Sequence, residues 1–179
     1  GSAGRAVINV ETRVVDHEMR DVAVGEVGEI VHRSPHLMQG YFHDDERTRA
    51  AFEGDWFHSG DLGTIDDEGY ISVVDRKKDM IKTGGENVAS REVEEAIYTI
   101  PGVSEVAVIG LPHERWIEMV TAVIVAKAGA ELTEDALMAA CRERLASYKV
   151  PKRIILTEAL PKNPSGKLLK RELRKQFTA

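Results

Sequence analysis

The spacing of apolar residues changes part-way along this chain. Val7 to Val15 alternates aliphatic and polar positions, and Glu26 to His32 repeats the alternation, so the first third predicts half-buried β-strands. Gly25-Glu26-Val27-Gly28 supplies a turn between them. Asp44 to Phe52 predicts a short helix capped by Asp44, with Asp45 and Glu46 in the first turn, where the helix dipole favours acids. Thr64 to Val74 predicts a hairpin whose acidic turn closes on Gly69.

Beyond the charge run Asp75-Arg76-Lys77-Lys78-Asp79, strands and helices alternate. Ser90 is expected to cap a helix whose Val93, Ala96 and Ile97 share a face. Val106 to Leu111 predicts a buried strand ended by Pro112, and Val120 to Val125 predicts another. Thr133 is expected to cap a helix through Leu137, Ala140, Cys141 and Leu145. Ile154 to Leu156 reads as a short strand and Leu168 to Phe177 as a basic helix. The expected fold class is α+β, with a β-rich segment over residues 1–76 and a small α+β domain over 77–179. The boundary falls in the charge run because no core buries so many charges without pairing them, which leaves a polar, solvated linker.

Composition narrows the function classes. The longest apolar run, Met119 to Ala126, is interrupted by Thr121 and falls short of the ~20 residues a membrane-spanning helix needs. No basic stretch leads into an apolar one near the start, so no secretory signal is expected. Cys141 is the sole cysteine, which excludes an intramolecular disulfide and points to a reducing, cytoplasmic setting. The six histidines lack metal-ligand spacing, and Pro35 keeps His32 and His36 off one helical face, so no metal site is expected.

The net charge of -6 conceals a division: residues 142–179 carry 11 Lys+Arg against Glu143, Glu158 and Glu172. A cationic lobe of this kind attracts nucleic acid, nucleotide phosphates or an acidic protein surface, unless it is simply a solvated helix face. Only Phe177 accompanies the last basic run, which leaves little aromatic surface for stacking bases, so no nucleic-acid partner is expected.

Four short clusters carry candidate chemistry. Ser59-Gly60-Asp61 reads as a loop that sets a carboxylate beside glycine, offering two acceptor oxygens to a ribose diol or forming an ordinary turn. Asp75 to Asp79 reads as ligand-binding or as polar linker. Lys82-Thr83-Gly84-Gly85-Glu86-Asn87 places two glycines before a helix, where a ligand can pass close to the main chain or a strand simply turns into the helix. Leu160-Pro161-Lys162-Asn163-Pro164-Ser165-Gly166-Lys167 presents Lys167 on a loop, without the spacing of a nucleoside-triphosphate cradle.

The order and spacing of these clusters resemble the adenylate-forming superfamily, which includes AMP-forming acyl-CoA synthetases and peptide-synthetase adenylation domains. Gly28-Glu29-Ile30 followed by Gly40-Tyr41 is similar to the family's Gly-Glu-Leu and Gly-Tyr motif, and Trp56 to Asp61 resembles its Tyr-Arg-Thr-Gly-Asp, with Ser for Thr. Gly69-Tyr70 through Asp75 to Asp79, with Gly84-Gly85-Glu86-Asn87, resembles the hinge motif, and Pro161 to Lys167 resembles the catalytic-lysine motif. One departure is Trp116-Ile117-Glu118, where the family often has Trp-Gly-Glu. The resemblance covers the last third of a family member, which implies that residues 1–76 end the large N-terminal domain and 77–179 form the mobile C-terminal lid.

Residue by residue, the resemblance implies that Asp61 and Arg76 hold the ribose hydroxyls of ATP and AMP, that Lys78 is the hinge, and that Lys167 serves adenylation. Gly84, Gly85 and Lys82 would line the pantetheine tunnel for CoA. The implied reaction converts a carboxylic or fatty acid, ATP and CoA into acyl-CoA, AMP and pyrophosphate, with Mg2+ accompanying ATP in the full-length enzyme. The fragment itself is expected to be inactive, to hold no tightly bound cofactor, to pair with the missing N-terminal domain, and to self-associate through exposed β surface. Three alternatives remain open at this point: an adenylation-domain fragment of a peptide synthetase, a non-catalytic binding module built on the basic lobe, and a stand-alone CoA- or AMP-binding domain.

Overall fold

A computed structural model describes residues 2–178. Contacts divide the chain into two compact units, Gly1–Lys78 and Asp79–Ala179. The first unit is a four-stranded antiparallel sheet in the order β1 (Glu11–Val15), β2 (Gly28–Arg33), β3 (Phe57–Ile65) and β4 (Ile71–Arg76). Neighbouring side chains alternate between its faces, so Val14, Ile30 and Ile71 form one cluster and Val15, Val31 and Trp56 another. The helix α1 (Asp45–Ala51) lies between β2 and β3, and Asp44 caps it as expected by accepting a hydrogen bond from Arg47 N.

The first expected strand is shorter than its alternation suggests. Val7 and Ile8 are 71% and 88% exposed and precede β1, because alternation sets a strand only where a neighbour supplies a ladder. The hairpin at Asp66 to Gly69 forms as expected, with Gly69 at φ +83.

The second unit is α+β, as the periodicity requires. Its long ribbon pairs β7 (Val103–His113) with β8 (Ile117–Ala126) over nearly their whole length. The hairpin of β5 (Ile81–Thr83) and β6 (Glu86–Val88) joins β8 at Ile117, while β9 (Arg153–Leu156) runs parallel to β8 further along. Helices cover both faces of the ribbon. Val108, Val120, Ala122 and Ile124 pack with Val93 and Ile97 of α2 (Ser90–Tyr98) and with Leu137 and Cys141 of α3 (Glu134–Arg144). Ala107, Ile109, Leu111 and Val123 point the other way and pack with Leu160 and with Leu173 of α4 (Lys170–Phe177).

Three expectations need correction here. Pro112 does not end β7: it pairs with Glu118 inside the strand, at a place where the missing N–H is tolerated. Ser90 is the first helical residue and does not cap α2; Ala89 precedes it, and the fully buried Ser90 hydroxyl accepts a hydrogen bond from Lys170 Nζ at 2.6 Å. The run Asp75 to Asp79 is not uniformly solvated, since Asp75 and Asp79 are buried. Asp75 accepts from Arg76 N at 2.7 Å within the first unit, and Asp79 pairs with Arg174 at 2.8 Å within the second.

Candidate functional site

In the first unit, Ser59-Gly60-Asp61 is not a loop but an irregular stretch of β3. Ser59 Oγ donates to Ile30 O at 2.6 Å and accepts from Asp61 N at 3.0 Å, and Gly60 takes φ +70. The resulting bulge breaks the regular register on both sides of β3 and re-aims one side chain. That side chain is Asp61, which lies opposite Arg76 of β4 and pairs with it at 2.7 Å. Fifteen residues of sequence separation thus become one charged pair on neighbouring strands. His32 lies within electrostatic reach of Asp61; burial lowers its basicity, and the Asp61 charge only partly restores it.

On β2, opposite Leu62, sits a buried carboxylate to which the sequence reading gave no role beyond its place in the Gly28-Glu29-Ile30 motif. Glu29 is 7% exposed; its Oε2 is 2.8 Å from Lys77 Nζ and 3.0 Å from His58 Nδ1. Burial by itself would raise the Glu29 pKa, but the hydrogen bonds and charges of Lys77 and His58 outweigh it and hold the carboxyl below its ordinary range. Lys77 is therefore tied down immediately before Lys78, which lies exposed in the short turn Lys77–Asp79.

In the second unit, Gly84-Gly85 does not lead into a helix but forms the two-residue tip of the β5–β6 hairpin. Both glycines have positive φ, +59 and +89, the conformation that a two-residue hairpin turn demands. Gly84 N donates to Trp116 O at 2.9 Å, and a side chain at Gly84 would approach the Trp116 ring at 3.3 Å. Arg115 and Lys152 lie over the same ring, at 4.5 and 5.9 Å. Lys82 N donates to Glu118 Oε2 at 2.7 Å, which ties this hairpin to β8. Ile117, where the resembled family often has glycine, takes φ +70 and is 67% exposed.

Lys167 stands exposed on a separate loop, closed by a bridge between Lys162 and Leu168 and tied to β7 by the Lys162–Glu105 ion pair at 2.5 Å. Glu105 opens the β7–β8 ribbon, whereas the glycine hairpin meets Trp116 and Ile117 at its far end. Eight residues of extended strand separate those anchor points, a distance of about 25 Å. The second unit therefore carries its lysine loop and its glycine hairpin at opposite ends of one rigid ribbon.

Similarity to known proteins follows the same division. The family profile described as "AMP-binding enzyme" matches residues 1–42, and that described as "AMP-binding enzyme C-terminal domain" matches residues 92–167. The chain belongs to the AMP-binding enzyme family. The long-chain-fatty-acid–CoA ligase FadD13 of Mycobacterium tuberculosis is 50% identical, the match covering 100% of this chain and 35% of the relative. Feruloyl-CoA synthase of Amycolatopsis sp is 46% identical, over 99% of this chain and 36% of the relative. The crystal structure of ATP-bound MatB from Rhodopseudomonas palustris superposes with a TM-score of 0.93 at 38% identity, covering 99% of this chain and 36% of that one. The chain thus spans about a third of the length of the relatives it matches, and it carries the C-terminal portion of this AMP-binding fold.

The basic lobe of this chain is mostly engaged internally. At least seven of its eleven cations have carboxylate partners: Lys149 with Glu92, Lys162 with Glu105, Lys170 with Glu94, Arg174 with Asp79, Arg144 with Glu143, and both Arg171 and Lys175 with Glu172. Paired cations release few counterions on binding a polyanion, so the excess positive charge loses most of its meaning as a nucleic-acid signal. Among the described residues, no group of three or more His, Cys, Asp or Glu could hold a metal ion, and no helix is long and apolar enough to cross a membrane.

Proposed function

We propose that this chain is the C-terminal part of an ATP-dependent acid–CoA ligase that makes an acyl-adenylate and then passes the acyl group to CoA. The observation that carries the reading is the ribbon in the second unit, with Lys167 anchored at one end and the glycine hairpin at the other. Because the two motifs are anchored about 25 Å apart, they do not serve one acyl carbon at once. A small domain that turns between two half-reactions gives each end its own step. In this reading residues 1–76 end the large domain, residues 77–179 form the lid, and Lys78 is the hinge.

In the first step the acid's carboxylate attacks the α-phosphorus of ATP and pyrophosphate leaves. The Lys167 ammonium, a fixed cation, offsets the charge that builds on the transferring phosphoryl oxygens. Asp61 accepts hydrogen bonds from the ribose hydroxyls, and Arg76, paired with it at 2.7 Å, orients that carboxylate and adds a donor. In the second step the CoA thiolate attacks the acyl carbon and AMP leaves. Gly84 and Gly85 present main chain without side chains to the pantetheine arm, beside Lys82. Mg2+ would accompany the ATP phosphates and offset their charge.

Relatives named as ligases or synthases of fatty-acyl-CoA and feruloyl-CoA support a carboxylic-acid substrate and a CoA acceptor. The exposed Val7, Ile8, Val24 and Phe42 of the first unit suit burial against the rest of a large domain and would make the isolated chain self-associate. A cytoplasmic setting fits the free, buried Cys141 thiol. The decisive test uses the full-length ligase. Lys167→Ala abolishes acyl-adenylate formation and spares CoA transfer from supplied acyl-adenylate; adenylation at the wild-type rate would overturn the assignment.

A further inference from the structure

The loop that carries Lys167 is shaped by one side chain. Asn163 Oδ1 accepts from Ser165 N at 3.1 Å, from Ser165 Oγ at 2.8 Å and from Lys167 N at 2.8 Å. The main chain of the same residue completes the turn, since Asn163 N donates to Lys167 O at 2.9 Å and Gly166 N donates to Asn163 O at 2.9 Å. Gly166 takes φ +81, which glycine adopts without steric cost, and Pro164 has its own φ fixed by the ring.

The base of the loop is clamped on both sides. Before it, Lys162 pairs with Glu105 and bridges to Leu168. After it, Leu169 N donates to Pro161 O at 2.8 Å, and Lys170 reaches Glu94 and Ser90 of α2, each at 2.6 Å. Without Asn163 the ends of the loop would stay fixed while Ser165 and Lys167 lost their shared acceptor. The freedom regained would fall on the backbone at Lys167 itself.

We propose that Asn163 is a positioning residue for Lys167: its amide oxygen sets the Lys167 backbone before any ligand arrives, so the ammonium meets the phosphoryl group without the loop having to order. The inference rests on the reading of Lys167 given under Proposed function and adds a residue that acts through the Lys167 backbone. A displacement of about 1 Å in a positioned catalytic group costs up to about a hundredfold in rate. All three side-chain bonds use the oxygen, so a carboxylate can replace the amide and a methyl group cannot.

The test measures both half-reactions of the full-length ligase carrying Asn163→Ala, Asn163→Asp or Lys167→Ala. Asn163→Ala is expected to lower kcat for adenylation about tenfold to a hundredfold, to leave the KM for ATP near wild type, and to spare CoA transfer from supplied acyl-adenylate. Asn163→Asp is expected to restore adenylation to within about threefold of wild type. Wild-type adenylation by Asn163→Ala overturns the proposal, as does an equal loss in both half-reactions, or an Asn163→Asp variant no better than alanine. The two readings separate cleanly. If Lys167→Ala adenylates normally, the catalytic assignment fails; if it does not while Asn163→Ala does, only the positioning role fails.

Discussion

Lys170 is indistinguishable in sequence from the other cations of the tail, yet removing it should destabilise the second unit selectively. Its side chain is only 14% exposed and Glu94 only 21%, with 2.6 Å between them, and it also donates to the buried Ser90 hydroxyl. Losing one partner of a fully buried pair costs about 3–5 kcal/mol, whereas exposed pairs contribute about 0–1 kcal/mol. Glu94 keeps its hydrogen bond from Val108 N at 2.8 Å, which limits the penalty on the stranded carboxylate. The expected loss for Lys170→Ala is therefore about 2 kcal/mol. With a urea slope of about 1.5 kcal/mol/M for a unit of this size, the midpoint falls by about 1.3 M.

The two tryptophans make that loss measurable in place, because Trp56 belongs to the first unit and Trp116 to the second. Urea unfolding followed by Trp116 emission in a Trp56→Phe background should show the shift, and Trp56 emission in the complementary background should not. Lys170→Met separates charge from packing, since it keeps the apolar stem. A Trp116 midpoint that moves by less than about 0.3 M would refute the argument that the pair is structural. Full recovery with methionine would assign the loss to the stem instead of the charge.

Other consequences are equally direct. Glu29 has a depressed pKa in the folded state, so its stabilisation is present above its ordinary value of 4.5 and is lost as pH falls through the folded value. The gap in Trp56-monitored stability between wild type and Glu29→Gln should accordingly narrow as pH falls below about 4.5; a gap that stays constant down to about pH 3 would contradict this. Ile117→Gly should stabilise the second unit by about 0.5–1 kcal/mol, because relief of left-handed strain exceeds the entropy that glycine adds to the unfolded chain. A lower urea midpoint for that variant would show that the exposed isoleucine is not strained. In the full-length ligase, Gly85→Ala should slow CoA transfer at least about tenfold while leaving adenylation within about twofold, and equal slowing of both steps would remove Gly85 from the CoA path.

Much of this molecule is legible in its sequence, and the misses have physical causes. The cap at Asp44, the hairpin turn at Gly69 and the strands over Val106 to Leu111 and Val120 to Val125 follow from short-range chemistry and period, so they were expected and are found. Ser90 looked like a cap because serine usually is one there; its hydroxyl instead meets Lys170, 80 residues away, which no local rule encodes. Ser59-Gly60-Asp61 has the composition of a loop, but a bulge needs the same glycine and small polar residue inside a strand. The tail looked cationic because sequence counts charges, whereas the carboxylates that pair with Lys149, Lys162, Lys170 and Arg174 come from residues 79–105. Asn163 had a visible signal, an Asn-Pro-Ser-Gly turn four residues before a lysine, but only the structure shows one oxygen taking three donors.

The residues on either side of Lys78 are anchored in opposite directions along the chain. Lys77 reaches back to Glu29, 48 positions earlier, while Asp79 reaches forward to Arg174, 95 positions later. For anyone recombining relatives of this protein, that makes Lys78 a natural crossover point. A cut there leaves each anchoring pair intact within one parent's half, whereas a cut a few residues to either side sends one member of a pair into a foreign partner and asks the other parent to have kept the matching charge.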